Sequence, residues 1–207
     1  MPSTSARRLR AVLWDVGNVI VRWDPRTLYA KIFPDEAERE AFLAEVCTME
    51  WHTLHDAGRP MDEGVAELTE RFPHHAGPIA AWRDRWWEMF SGPIPETCDA
   101  IEALHARGVP QFGLTNMSTE TAPGTFAIAP PISRFADIVI SGVERVLKPD
   151  PAIYRIACER AGHAAEEMLF IDDSLRNIES AAALGFAVHR FEDPADLRPA
   201  LERWGLL

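Results

Sequence analysis

The side chains best suited to chemistry in this sequence stand where apolar segments end. They are Asp15 in LWDVGNVIV, Thr115-Asn116 in FGLTN, Lys148 in VLKPDP and Asp172-Asp173 in FIDDS. Each of them has an ordinary structural explanation by itself, as a helix cap, a strand end or a solvated charge. An unpaired carboxylate at a buried strand is costly, so acids that recur at such positions indicate a functional site.

Together these groups have the composition of a site for a metal ion and a phosphoryl group. Carboxylates that lie close together repel one another unless a cation neutralises them, and oxygen-only ligands suit Mg²⁺. A hydroxyl, an amide and an ammonium are donors that hold phosphoryl oxygens. A carboxylate that faces a neutralised phosphoryl group can attack it, and water then hydrolyses the aspartyl-phosphate.

The surrounding segments predict the elements that would position these residues. Short apolar strands alternate with helices in the second half of the chain, which is typical of a parallel sheet covered on both faces. We predict strands at residues 11–16, VPQFGLTN, ADIVIS, EMLFID and AVHRF, and helices at 97–107, 151–161, LRNIESAAALG and ADLRPALERW. The stretch STETAPGTFAIAPPI is expected to be irregular. Ligands of such sheets bind at the carboxyl ends of the strands, where the polar groups fall.

Residues 25–90 have a different pattern, with helical periodicity and no convincing strand. Trp82, Trp86 and Trp87 fall at helical spacing within it, and we expect them to pack a small bundle.

The fold prediction is an α/β protein with a Rossmann-like, doubly wound parallel sheet and an inserted small helical cap domain. Residues 1–21 and 93–207 form the predicted core, and residues 22–92 form the predicted cap. A length of 207 residues suits one domain carrying such an insertion.

Charge and composition exclude some partners. Acids outnumber bases 32 to 21, and the formal charge of −11 should repel nucleic acid and anionic membranes. Any phosphate must therefore be held locally. The three cysteines show no metal-binding spacing, so we interpret them as reduced thiols of a soluble, cytoplasmic monomer or homodimer. They are Cys47, Cys98 and Cys158.

The N-terminus carries Arg7, Arg8 and Arg10 ahead of apolar residues, which resembles the start of a signal peptide. Asp15 interrupts the apolar run too early, and no small-residue cleavage site follows. No segment approaches the apolar length of a membrane span, so we expect no membrane partner.

The segments WDVGNVIV, FGLTN, VLKPDP and FIDDSLRN resemble, in order, the sequence signatures of the haloacid dehalogenase superfamily. They span residues 14–177, and the helical insertion falls where that family carries a helical cap. Within the superfamily the chain is most similar to the branch with DxGN in its first motif. That branch includes bacterial sugar-phosphate phosphatases such as α-glucose-1-phosphate phosphatase.

The resemblance implies a metal-binding role for several residues. It makes Asp15 the nucleophile and a Mg²⁺ ligand, with the backbone carbonyl of Gly17 and the carboxylate of Asp173 as further ligands. Asp172 falls in the supporting shell. Asn177 stands where many relatives carry an acid, in a position to reach a metal-bound water.

The same resemblance implies how the phosphoryl group is held. Thr115 and the amide of Asn116 would bind the transferring group. Lys148 would neutralise Asp15 and the phosphoryl oxygens.

One position departs from the family pattern. Most phosphatases of this family have a second aspartate, a general acid and base, at the position that Gly17 occupies here. Losing a positioned proton donor typically costs about 10²–10⁴-fold in rate. Activity is then slow or limited to leaving groups that need little protonation, or the acid comes from elsewhere, or the chain has kept only phosphate binding. Cap-side candidates for the acid are Asp24, His52, His55 and Asp56.

The sequence therefore predicts a Mg²⁺-dependent hydrolase of a small phosphomonoester, with an aspartyl-phosphate on Asp15. A sugar phosphate is the substrate that the resemblance implies. The alternatives are a metal-independent 2-haloacid dehalogenase and a catalytically weak protein that binds a phosphometabolite. Dehalogenases of this fold also lack the second aspartate, but their fourth motif lacks the paired carboxylates present here as Asp172-Asp173.

Overall fold

The computed structural model describes residues 9–207, so the part of the predicted core at residues 1–8 lies outside the described residues. The strands are β1 (Ala11–Trp14), β2 (Val21–Trp23), β3 (Phe90–Pro93), β4 (Gln111–Thr115), β5 (Asp137–Ile140), β6 (Met168–Asp172) and β7 (Ala187–Arg190). The helices are α1 (Pro25–Tyr29), α2 (Glu36–Glu45), α3 (Met49–Asp56), α4 (Met61–Arg71), α5 (Ala76–Asp84), α6 (Pro95–Ala106), α7 (Ala122–Ile128), α8 (Ser141–Glu144), α9 (Pro151–Ala161), α10 (Leu175–Ala183) and α11 (Pro194–Arg203).

The main sheet has five strands in the order β5-β4-β1-β6-β7, and every pairing in it is parallel. Leu13 at the centre of β1 is in register with Phe112 of β4 and Phe170 of β6. The chain runs outward from β1 on one side and then returns to the other side. The predicted parallel sheet is confirmed, and its crossover point lies at β1, where open α/β sheets bind ligands.

Side-chain alternation along β1 divides the core into two apolar layers. Val12 and Trp14 pack in the layer that includes Ile101 of α6 and Leu197 of α11. Leu13 packs in the opposite layer, which includes residues of α9 and α10. Helices therefore cover both faces of the sheet, as a doubly wound fold requires.

A helical segment with its own apolar core lies between β2 and β3 and contains α1 to α5. Trp82 and Trp86 are buried there as predicted. Trp87 is 47% exposed, so the prediction that it packs the bundle is wrong. Its ring lies on Gly124 of α7 instead, where an added Cβ would come within 2.3 Å of it. Among the described helices, none is long and apolar enough to span a membrane.

The strands β2 and β3 and the helix α7 differ from the sequence-based expectation. β2 and β3 form an antiparallel two-stranded ribbon where no strand was expected, because Gly92 and Pro93 give β3 the composition of a linker. The stretch expected to be irregular contains α7, whose Pro123 stands in the first helical turn. Proline is tolerated there because its missing N–H would have no intrahelical partner.

Candidate active site

The carboxyl ends of the three central strands bring the sequence-predicted residues together. Asp15 directly follows β1, Thr115 is the last residue of β4, and Asp172 is the last residue of β6. β1 pairs with both neighbours, so these ends are adjacent. All three side chains are buried.

Lys148 joins two of the carboxylates. Its Nζ lies 2.9 Å from Oδ1 of Asp15 and 2.7 Å from Oδ2 of Asp172, and the lysine is itself buried. Burial alone would lower the pKa of Lys148, but the carboxylates of Asp15 and Asp172 outweigh it and raise that pKa above its usual value. The lysine is therefore a fixed cation at the strand ends.

Asn116 positions the backbone of this lysine. Its Oδ1 accepts a hydrogen bond from the Lys148 backbone N–H at 2.8 Å, and its Nδ2 donates to the Lys148 carbonyl at 3.0 Å. The side-chain amide of Asn116 is thus engaged with the chain. The backbone N–H of Asn116 and the second hydrogen of its side-chain amide are the donors this residue could offer a phosphoryl group.

Asp172 is enclosed by donors. Besides Lys148, its carboxylate accepts hydrogen bonds from Nδ2 of Asn177 at 3.0 and 3.1 Å and from the backbone N–H of Ser174 at 2.8 Å. Its exposed fraction is 0%. The side-chain Nδ2 of Asn177, the residue predicted to reach a metal-bound water, is thus engaged with Asp172.

The acidic residues are close enough to share a cation. One carboxylate oxygen from each of Asp15, Asp172 and Asp173 lies within 4.8 Å of the others. Burial raises the pKa of Asp15 to about 7, an effect that Lys148 opposes and the other two carboxylates reinforce. Burial and Asp172 also raise the pKa of Asp173. An oxygen-only set that resists ionising together fits a hard divalent cation, which would remove the repulsion.

Asp173 and Asp172 differ in access to solvent. Asp173 is half-buried and lines a cleft of about 840 Å³ between the strand ends and the helical segment, together with Asn18 and Arg22. Asp172 does not line this cleft. Asp173 therefore fits direct ligation of a cation from the cleft better than Asp172, whose two oxygens are already held by Lys148, Asn177 and Ser174.

The turn after Asp15 places Gly17 beside a second space. Asn18 has a left-handed backbone with φ of 56°, and its side-chain oxygen accepts a hydrogen bond from the Trp23 N–H. A Cβ at Gly17 would meet nothing within 4 Å. Gly17 borders a cavity of about 130 Å³ whose opposite wall includes His52 and Asp56 of α3. Sequence analysis missed this cavity, since its walls come from distant segments.

The four cap-side candidates for a general acid have different surroundings. His52 and Asp56 line the 130 Å³ cavity. Asp24 lines the larger cleft and caps α1 by accepting a hydrogen bond from the Arg26 N–H. His55 is enclosed within the helical segment, with its Nδ1 3.2 Å from the carbonyl of Arg59.

The fold and the strand-end carboxylates define a Rossmann-like α/β protein with a carboxylate-centred site. The family model of the haloacid dehalogenase-like hydrolases matches residues 9–185, and the chain belongs to this family.

Two curated relatives match this chain over only part of their own length. The phosphoglycolate phosphatase of Escherichia coli K12 is 32% identical over 128 residues, which cover 61% of this chain and 47% of that protein. Mouse acyl-CoA dehydrogenase family member 10 is 26% identical over 217 residues, which cover 96% of this chain and 19% of that protein. The chain thus spans about half the length of the phosphatase.

Solved structures share the fold. A HAD-like family hydrolase from Porphyromonas gingivalis is 20% identical with a TM-score of 0.72, covering 94% of this chain and 97% of its own. A HAD family enzyme from Bacteroides thetaiotaomicron, in complex with magnesium and inorganic phosphate, is 22% identical with a TM-score of 0.69. The match covers 91% of this chain and 98% of that enzyme. A dehalogenase with an intermediate complex is 17% identical with a TM-score of 0.71, covering 93% and 96%.

Proposed function

We propose that this protein is a Mg²⁺-dependent phosphatase of a small phosphomonoester and that Asp15 is its nucleophile. The observation that carries the proposal is that Asp15 contacts the Lys148 ammonium and shares one carboxylate cluster with Asp172 and Asp173. A binding protein would gain nothing from a carboxylate aimed at a bound phosphate, because like charges repel. A nucleophile requires that arrangement.

The surroundings of Asp15 support attack by one particular oxygen. Oδ1 accepts a hydrogen bond from the Val16 N–H at 2.7 Å and faces Lys148 at 2.9 Å. These donors fix the carboxylate and leave Oδ2 to attack phosphorus. The phosphoryl oxygens would then lie against Lys148, the Thr115 hydroxyl and the Asn116 N–H.

The same residues would hold Mg²⁺. Asp15, Asp173 and the backbone carbonyl of Gly17 are the proposed ligands, and Asp172 orients Lys148 and Asn177 behind them. When bound, the cation supplies positive charge to the phosphoryl oxygens.

The substrate class follows from the resemblance and the relatives. DxGN-type motifs and a phosphoglycolate phosphatase relative support a small phosphorylated metabolite, and we keep a sugar phosphate as the specific hypothesis. We assign residues 22–92 as a cap that closes over the strand ends. Three free cysteines, Cys47, Cys98 and Cys158, support a cytoplasmic location.

Dehalogenation is the second candidate function, because Gly17 lacks the second acid and dehalogenases share the fold. The acidic cluster argues against it. The single positive charge of Lys148 does not balance three carboxylates, so a metal-independent reaction would leave the remaining repulsion in place.

Hydrolysis of p-nitrophenyl phosphate tests the proposal, because this leaving group needs little protonation. We expect turnover with Mg²⁺, none with EDTA, and a loss of at least about 10³-fold in Asp15→Asn. Asp99→Asn, on the exposed face of α6, is the matched control and should keep wild-type activity. Turnover that survives EDTA or Asp15→Asn would contradict the proposal, and turnover of a 2-haloacid would then favour the dehalogenase.

A further inference from the structure

The 130 Å³ cavity lies between the sheet and the helical segment, beside Gly17, the position where most phosphatases of the family carry the second aspartate. Gly17 and Asn116 form its wall on the strand-end side. His52 and Asp56 of α3 form the polar part of the opposite wall, and the remaining lining is mostly apolar. A leaving group that departs from the phosphoryl site toward this cavity would meet Asp56 and His52.

Asp56 is held in place from both sides. Its backbone carbonyl accepts a hydrogen bond from Oγ of Ser141 at 2.6 Å, and its carboxyl group accepts one from the backbone N–H of Ser118. Nε2 of His52 lies 3.4 Å from its Oδ2. Asp56 is only 8% exposed. These contacts fix a carboxyl group at the junction between α3 and the loop that follows β4.

A substantial fraction of Asp56 is protonated near neutral pH. Burial raises its pKa to about 7, although the Ser118 N–H and the Lys148 ammonium oppose the rise. Burial, reinforced by His55, lowers the pKa of His52 to about 3, so His52 is neutral and forms no ion pair with Asp56. A protonated carboxyl group near a leaving group has the property that a general acid needs.

We propose that Asp56 is the general acid and base that replaces the carboxyl group absent at Gly17, and that His52 is its positioning residue. This inference rests on the proposed phosphatase function. His52 stacks on Trp23 with ring centroids 5.1 Å apart, which fixes the imidazole beside Asp56. The other two candidates are placed less well, because Asp24 caps a helix in the other cleft and His55 does not line the cavity.

Asp56 gives up one proton and regains one over the two steps of the proposed reaction. In the first, Asp15 attacks phosphorus, the bond from phosphorus to the leaving oxygen breaks, and that oxygen takes the proton of Asp56. In the second, the Asp56 carboxylate takes a proton from water, and the water oxygen attacks phosphorus. The bond to Asp15 breaks, phosphate departs, and Asp15 and Asp56 return to their starting states.

Two aryl esters with different leaving groups test this role in Asp56→Asn with Mg²⁺. Phenolate needs protonation, since phenols such as that of tyrosine have a pKa of about 10, whereas p-nitrophenolate needs little. We expect kcat/KM for phenyl phosphate to fall by about 10²-fold or more. For p-nitrophenyl phosphate, kcat/KM should stay within a few-fold. Its kcat should fall after a burst of p-nitrophenolate, because hydrolysis of the aspartyl-phosphate has lost its base.

Asp24→Asn is the matched control, since asparagine caps helices as well as aspartate does. It should leave the ratio of the two kcat/KM values unchanged. Equal losses on both esters in Asp56→Asn, or no loss on either, would overturn the inference. Failure of the wild-type protein to hydrolyse either ester with Mg²⁺ would instead overturn the proposed function.

A measurement on the wild-type protein remains if Asp56→Asn does not fold. The ratio of kcat/KM for phenyl phosphate to that for p-nitrophenyl phosphate should fall as the pH rises through about 7, where Asp56 loses its proton. Effects on Asp15 cancel in this ratio because both esters need the nucleophile. The titratable and charged groups facing Asp56 are His52 and Lys148, and neither changes charge near pH 7. A constant ratio would overturn the inference.

Discussion

At the scale of single residues, the site depends on two buried groups that each do more than one task. Lys148 neutralises Asp15 and also Asp172, and it is held by the side chain of Asn116. Asp172 orients the lysine and Asn177 without facing the cleft. The positions of these residues at strand ends could be predicted from the sequence, but not their partners, because contacts between side chains depend on the packing of segments far apart in the chain.

Removing the lysine should leave an uncompensated buried charge. We expect Lys148→Met to abolish phosphatase activity and to lower the free energy of unfolding by about 3–5 kcal/mol at pH 7. The double variant Lys148→Met/Asp172→Asn should be more stable than Lys148→Met alone, because it removes the stranded carboxylate. Urea denaturation of the wild type, Lys148→Met, Asp172→Asn and the double variant measures this, and additive destabilisation would contradict the expectation.

At the scale of elements, the turn between α3 and α4 attaches the helical segment to the sheet. Ser141 binds the carbonyl at the end of α3, and Oε1 of Glu120 accepts a hydrogen bond from the first N–H of α4 at 2.9 Å. Gly58 in this turn has φ of 98°, and an added Cβ would lie 2.8 Å from the Gly142 carbonyl oxygen. The sequence predicts a turn here but not its docking.

A methyl group at this turn should loosen the attachment. We expect Gly58→Ala to destabilise the protein by about 1–3 kcal/mol, since the backbone at Gly58 is left-handed and the added Cβ would clash with the Gly142 carbonyl oxygen. Gly77→Ala in α5 is the matched control, with nothing within 4 Å of the added Cβ. Its effect should be neutral or stabilising by up to about 1 kcal/mol. Thermal unfolding compares them, and equal melting temperatures would show that the turn tolerates a side chain.

Among the elements, α1 to α6 and α9 to α11 could be expected from helical periodicity, and the parallel strands from short apolar runs between turns. The ribbon and α7 could not. β2 and β3 are three and four residues long, too short to show alternation, and Pro123 and Gly124 hide the helical pattern of α7. The cavity beside Gly17 is likewise visible only once α3 is docked on the sheet.

At the scale of the whole molecule, an acidic chain concentrates three carboxylates at one sheet edge. Asp15 and Asp173 have raised pKa values, so the folded state binds more protons there than the unfolded state does. Their contribution to stability is therefore largest at low pH and is lost as the pH rises toward about 7. A cation that binds the ionised carboxylates reverses this loss.

We accordingly expect Mg²⁺ to raise the melting temperature more at pH 8 than at pH 6, because protons compete with the metal for Asp15. The measurement is the difference in melting temperature with Mg²⁺ and with EDTA at each pH. Asp173→Asn should reduce the difference at both values, whereas Asp99→Asn should preserve it. A shift that is independent of pH would indicate that Mg²⁺ binds elsewhere.

The ribbon of β2 and β3 has a consequence for how this molecule can change. Since Trp23 and Phe90 are paired, the helical segment leaves and rejoins the rest of the chain at one place. A tight hairpin joining Trp23 directly to Phe90 could replace the helical segment without moving the ends of β1, β4 or β6. The helical segment can thus change in length or sequence while the strand-end carboxylates keep their positions, so the ribbon lets the two parts of the molecule evolve separately.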